Sequence, residues 1–415
     1  MSTNKTQALF PGFRPAFASR PHPRYNEYMG SNGNDAEQLI RLRHRLHAHP
    51  ELSGSESATA QTIREFILRH TRAELLEGLG GYGLAAVFSG PAPGPTVMFR
   101  ADLDALPIPE KSRLDYRSQN RGVAHLCGHD GHMAILCGLA VQLSNMPPRY
   151  GRVVLLFQPA EETGSGAVRV IADPAFEKIR PDMAFALHNL PGFPLGHVVW
   201  RRGAFAAASR GLVIRLNGRT AHAGEPENGV SPASAVSHLL TGIPDLPRTS
   251  GIPGFGLATV VHARLGDVAF GTAPGEAVVM ATLRTHSDRD MEQLFAAGEQ
   301  LAREAAAAAG LRMRLEAVED FPVTHNAAEA LERVCAAARK QSLSLVEVPA
   351  PFRWSEDFAH FTRICPAALF GLGAGEDHPR LHNPEYDFPD ELIAPGVAVF
   401  SAIYRGLLVE DRYVP

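Results

Sequence analysis

Apolar positions along the chain follow two periods, and the switches between them mark out the elements. From Asp35, the run AEQLIRLRHRLHAHPEL places Leu39, Ile40, Leu42 and Leu46 at helical spacing, and Thr59 to His70 predicts a second helix. Short apolar runs then alternate with helical stretches. AAVF, TVMFR, VVLLF and MAFALH fit buried strands, and HMAILCGLAVQL fits a helix between two of them. That alternation argues for an α/β layer built on a largely parallel sheet with flanking helices.

The pattern changes near residue 208. SRGLVIRLNG alternates like a half-exposed strand, and Ser231-Pro232 predicts a helix start with its cap and first-turn proline. LATVVHARLGD and EAVVMATLRTH are two further strands, MEQLFAAGEQLAREAAAAAG is a helix stopped by Gly310, and LRMRLEAVED is a last strand. Strand, helix, strand, strand, helix, strand is the order of a ferredoxin-like α+β sandwich. After about residue 320, runs such as CPAALFGLG return to the first layer. The expected plan is a loosely ordered extension over 1–34, a catalytic domain over 35–207 and 321–415, and an inserted lid or dimerisation domain over 208–320. A chain of 415 residues is beyond the size at which one core keeps growing, which suits that division.

Composition narrows the function classes. Apolar residues make up 45% and charged residues 20%, as in ordinary globular proteins. The net charge of −4, without a Lys/Arg run, gives no footprint for nucleic acid. No segment reads as the roughly 20 apolar residues that span a bilayer, so no membrane is expected. The first thirty residues lack the continuous apolar stretch of a secretory signal, and Pro21 and Pro23 would interrupt an amphipathic transit helix. Cys127, Cys137, Cys335 and Cys365 are scattered, with no disulfide spacing, which points to a reducing, cytoplasmic compartment.

Ligands of open parallel sheets collect at the carboxyl ends of the strands, and there the predicted strands run into chemistry. TVMFR leads to Asp102 and Asp104, VVLLF to Glu161 and Glu162, and MAFAL to His188. HLCGHDGH supplies Cys127, His129 and His132 just before a helix, and LHNPEYD supplies His382. Singly, each has an ordinary explanation: a buried cysteine, a core histidine, a turn-capping aspartate, a solvated glutamate pair. Jointly they favour a metal site. A Cys/His nucleophile is the rival, since it also needs a lowered thiol pKa and a neighbouring base. The surplus of imidazoles and carboxylates is unnecessary for that chemistry and natural for cations. Adjacent Glu161 and Glu162 at the end of a buried run would disfavour each other's ionisation. A cation bound by one removes that penalty and leaves the other to move protons in hydrolysis.

RHRLHAHPELSGSE, FRADLDALPI, HLCGHDGHMA, QPAEETGSGA, ALHN, GRTAHAGEPENGVSPASA and LHNPEYDF occur in this order. Over about residues 36–407 the chain thereby resembles the metal-dependent amidohydrolases of the aminoacylase/carboxypeptidase-like metallopeptidases, in the branch of hippurate hydrolase, indole-acetyl-amino-acid hydrolase and aminobenzoyl-glutamate hydrolase. The resemblance implies two divalent metal ions per subunit, held by Cys127, His129, Glu162, His188 and His382. Zinc, manganese, nickel and cobalt all suit such a mixed donor set. It further implies Glu161 as general base and acid, Asp104 as the orienter of a ligand, and Asp102 as a weaker candidate. His222 in TAHAG matches a histidine that reaches a partner's site and stabilises the oxyanion. The implied assembly is a homodimer or homotetramer through the inserted domain. The implied reaction is hydrolysis of N-acyl amino acids or similar small amides. A dipeptidase or carboxypeptidase using the same site is the alternative, and a binding protein without turnover is the non-enzymatic one. One departure stands out: FGTAPGE puts Gly271 where many relatives carry the asparagine of Asn-x-x-Pro, which puts substrate recognition in question. Arg284 in TLRT matches a further family position.

Overall fold

The computed structural model describes residues 33–410, so the expected extension over 1–34 lies outside the described residues, apart from Gly33 and Asn34 at the start of the first helix. Two compact units emerge. The first comprises residues up to Phe205, His325–Ala350 and the chain from Asp357 onward; the second comprises Ala206–Thr324 and Pro351–Glu356. The return of Pro351–Glu356 to the second unit has no counterpart in the periodicity, which is silent for a six-residue segment.

The first unit carries an eight-stranded sheet. Its strands are β1 (Glu74–Leu79), β2 (Gly83–Ser89), β3 (Thr96–Asp102), β4 (Arg152–Gln158), β5 (Met183–Leu190), β6 (Val198–Trp200), β7 (Leu345–Glu347) and β8 (Ala367–Gly373). They lie in the order β1-β2-β4-β3-β5-β8-β6-β7. The central four, β4, β3, β5 and β8, are parallel, and β2 and β6 join them antiparallel on either side. Strands buried on both faces need continuous apolar runs rather than alternation, and β3, β4 and β8 are buried along nearly their whole length around apolar runs at 97–99, 153–157 and 367–370.

Helices α1 (Gly33–Ala48), α2 (Ser57–His70), α3 (His129–Asn145), α4 (Ala328–Lys340) and α5 (Ile393–Arg405) flank the sheet. α3 is buried from His129 to Ala140, and Gly138 lets Val397 of α5 and Leu39 of α1 close on it; a Cβ there would lie 2.5 and 2.9 Å from their side chains. Contrary to the sequence reading, Asp390–Glu410 is long and apolar enough to cross a membrane by length and composition, but 72% of its most apolar window is buried inside the protein. It packs as a core helix.

The second unit follows the predicted order, with strands Ala208–Asn217, Gly256–Leu265, Glu276–Thr285 and Arg312–Phe321 and long helices Ala233–Gly242 and Asp288–Ala308. All three strand pairings are antiparallel, and Ala208–Asn217 and Glu276–Thr285 occupy the centre. Ser287 caps the second helix by accepting the Asp290 amide, and Gly310 ends it with φ +63. Ser231-Pro232 does not open its helix as expected: Pro232 is the cap position and makes no capping bond.

Candidate metal and hydrolytic centre

Register places the chemistry on one edge of the sheet. Asp102 and Gln158, the last residues of β3 and β4, are direct partners, and His188 lies near the end of β5 beside Gly371. Cys127 comes from the loop before α3 and His129 opens that helix. Between them, Gly128 has φ 90, and a Cβ would sit 2.6–2.8 Å from the Asn189 amide. Only glycine permits this close left-handed turn, which aims the thiol and the imidazole the same way.

The structure brings Cys127, His129, Glu161, Glu162, His188, His382 and Asp104 together in the first unit. Cys127, His129 and His188 present donor atoms within 4.8 Å of one another, as do Cys127, Glu162 and His382, and also His129, Glu161 and Glu162. The Cys127 sulfur, 3.5 Å from His188 Nε2, is common to the first two groups. His129 Nε2 lies 3.9 Å from Glu162 and 4.0 Å from Glu161, and His382 Nε2 lies 3.9 Å from Glu162. His222 belongs to the second unit. It is exposed, its Nδ1 accepts the Gly224 amide at 3.1 Å, and it pairs with Thr272 beside Gly271 on a two-stranded ribbon. Arg284, also in the second unit, donates to Arg353 O and Ser355 Oγ there.

Outer partners fix each ring. His129 Nδ1 donates to the Asp104 carbonyl at 2.9 Å and His188 Nδ1 to the Asn189 carbonyl at 3.0 Å, which turns both Nε2 atoms towards the cluster. Asp102 is paired with Arg100 and lies 3.5 Å from His132 Nδ1. Asp102, His129 and His132 thus form a further donor group, but Asp102 already has an arginine as its counter-charge. Several supporting residues escaped the sequence reading. The Asp357 amide donates to Glu161 Oε1 at 3.3 Å, while the Asp357 carboxylate binds Gln158 and Arg100. Buried Glu56 accepts the amide of Ala160, which is held at φ 52 immediately before Glu161. Ser53 and Glu56 lie in PELSGSE, a quoted motif, but their targets lie 51 and 104 residues away.

A scan of family models matches residues 98–405 to "Peptidase family M20/M25/M40". The chain belongs to this family. It is a metal-dependent amide-bond hydrolase. Among relatives, N-acetyl-L-cysteine deacetylase of Bacillus subtilis (strain 168) is 33% identical over 362 residues, covering 86% of this chain and 85% of its own. A solved putative aminohydrolase from methicillin-resistant Staphylococcus aureus superposes with a TM-score of 0.81 at 26% identity, covering 93% of this chain and 100% of that one. The Bacillus subtilis YXEP protein, described as a dinuclear metal-binding M20 peptidase, shares the fold with a TM-score of 0.76 at 24% identity, over 92% and 100% of the two chains.

The charges around the cluster fit cations. Among the described residues, His129 Nε2 and Glu162 Oε1 are buried with no hydrogen-bond partner, a costly arrangement unless something positive binds there. Burial pushes the Glu162 carboxyl up to about 7. Burial alone would lower the His129 pKa, yet Asp102, Cys127 and Asp104 outweigh it and hold the imidazole well above its usual value. Asp104 stays below the usual carboxylate range because the His129 imidazole, 3.6 Å from its carboxylate, and hydrogen bonds from Ser53 and the Glu162 amide overcome its burial. Without a cation, protons must supply the positive charge that these anions call for; thiolate, imidazole and carboxylate together are the donors that divalent transition metals take.

Proposed function

We propose that this protein hydrolyses the amide bond of N-acyl amino acids or similar small amides with two divalent metal ions. Cys127, His129 and His188 would hold one, Cys127, Glu162 and His382 the other, and the shared sulfur is the observation that carries this reading. Bound metals would lower the pKa of water and polarise the substrate carbonyl. Glu161, oriented by the Asp357 amide, takes a proton from the attacking water as the C–O bond forms. It then delivers that proton to the amide nitrogen as the C–N bond breaks, giving a carboxylate and an amine. Asp104 positions His129 and the Glu162 backbone. His222 stabilises the developing oxyanion from a partner subunit, in a homodimer or homotetramer formed through the second unit. A cytoplasmic setting suits four cysteines that are all free thiols. Support for an acylated amino acid comes from the deacetylase relative at 33% identity.

The test is elemental analysis together with turnover on a panel of N-acyl amino acids and dipeptides, before chelation, after it, and after metal is restored. Chelation should silence the enzyme and metal should rescue it, with acyl amino acids turned over faster than dipeptides. Faster turnover of dipeptides would move the assignment to a peptidase. Full activity after chelation, abolished by thiol alkylation, would make Cys127 a nucleophile instead.

A further inference from the structure

We propose that Arg43 is a positioning residue, a clasp that sets the separation of the two halves of the metal centre; this rests on the metal reading above. Arg43 lies on α1, in the RHRLHAHP motif for which the reaction gives no use, and its side chain is completely buried. Its Nη1 donates to Asp130 at 3.2 Å and to Asp387 at 2.7 Å, and its Nε lies 2.6 Å from Asp390. Asp130 directly follows His129 in the first turn of α3, while Asp387 and Asp390 belong to the segment that carries His382. One guanidinium therefore joins the carrier of His129 to the carrier of His382. Neighbours hold it in place: Tyr116 lies under it at 4.7 Å and donates to Asp387, and His47 donates to the same Asp130 oxygen at 2.9 Å.

The His382 segment needs such a tie. His382 has φ 64 and a half-exposed side chain, and its backbone amide donates to Leu126 O at 2.9 Å. Left-handed backbone is unfavourable for a residue with a Cβ, so a neighbouring constraint has to maintain it. Arginine suits the task because its planar fork spans several carboxylates in fixed directions, whereas lysine offers only a point charge.

The decisive experiment titrates the metal-free chain with cobalt(II), following stoichiometry, affinity and the visible absorption of the bound ion. Two variants are compared with wild type: Arg43→Lys, and the pair Asp387→Asn with Asp390→Asn. The aspartates are about a quarter exposed, so the paired variant leaves Arg43 matched to buried Asp130 and keeps the fold even where Arg43→Lys does not. Wild type should bind two cobalt ions; the variants should bind the second about tenfold more weakly, with an altered absorption band. A lowered melting temperature with wild-type affinity and spectrum would show a merely stabilising role and overturn the clasp. Failure of wild type to take up cobalt would overturn the metal reading itself, and the clasp with it.

Discussion

Ser53 donates to Asp104 at 2.6 Å, and the same carboxylate oxygen accepts the Glu162 amide at 3.0 Å. A serine from the loop after α1 thereby helps set the backbone that presents Glu162. Hydrogen bonds to a charged group contribute roughly 1.5–3 kcal/mol. Ser53→Ala should lower stability in urea by about 2 kcal/mol and slow turnover several-fold, with both metals retained. Unchanged kinetics would mean that the His129 and Glu162 bonds suffice to hold Asp104.

Glu161→Gln keeps the shape of the side chain and removes its basicity. Metal content should be unchanged and kcat should fall by at least about 10²-fold, the usual contribution of a general base. A metal-loaded variant with near-normal kcat would remove Glu161 from proton transfer.

Cys127→Ala removes the atom common to both donor groups. Both metals should be lost together rather than one at a time, as read by elemental analysis after dialysis. Retention of two ions would take the sulfur out of the ligand set.

Gly271 leaves open space: among the described residues no atom lies within 4 Å of a Cβ built there, and its backbone is not left-handed. Gly271→Asn should therefore change stability by less than about 0.5 kcal/mol, as surface substitutions do. Because Gly271 adjoins the partner of His222 on the ribbon, kcat/KM should shift between substrates with and without a free carboxylate. Identical substrate ratios in both proteins would exclude position 271 from recognition.

His47 gives the pH dependence. Burial would depress its pKa, but hydrogen bonds to Asp130 and Glu110 carry it up to about 9. A group raised in the folded state binds its proton more tightly there than in the unfolded chain. Its stabilisation is complete below the unfolded value near 6.5 and is lost as pH rises through about 9. Urea midpoints of the metal-free protein should fall across that interval in wild type and be flatter in His47→Gln. Parallel profiles for the two proteins would disprove the assignment.

Much of the candidate site is legible along the chain because strand ends are local features. A buried parallel strand needs an unbroken apolar run, and the residue where the run stops is visible without knowing its neighbours. Asp102, Glu161, Glu162 and His188 were found in this way. Cys127 and His129 stood out by their spacing around a glycine, although the need for that glycine became clear only from the Asn189 side chain against it. The apolar stretch Asp390–Glu410 shows the opposite case, since length and apolarity alone do not distinguish a core helix from a membrane span.

The sequence by itself determined the alternation of strands and helices, the change of pattern near residue 208, and the placing of thiol, imidazole and carboxylate groups at strand ends. Tertiary structure alone decided which buried polar groups meet: Arg43 with Asp130 across 87 residues, Glu56 with Ala160 across 104, Asp357 with Glu161 across 196. It also decided that β8 lies between β5 and β6. Periodicity records whether a side chain is buried. The partner of a buried charge is chosen by the surfaces that folding brings face to face, and no local pattern encodes that choice.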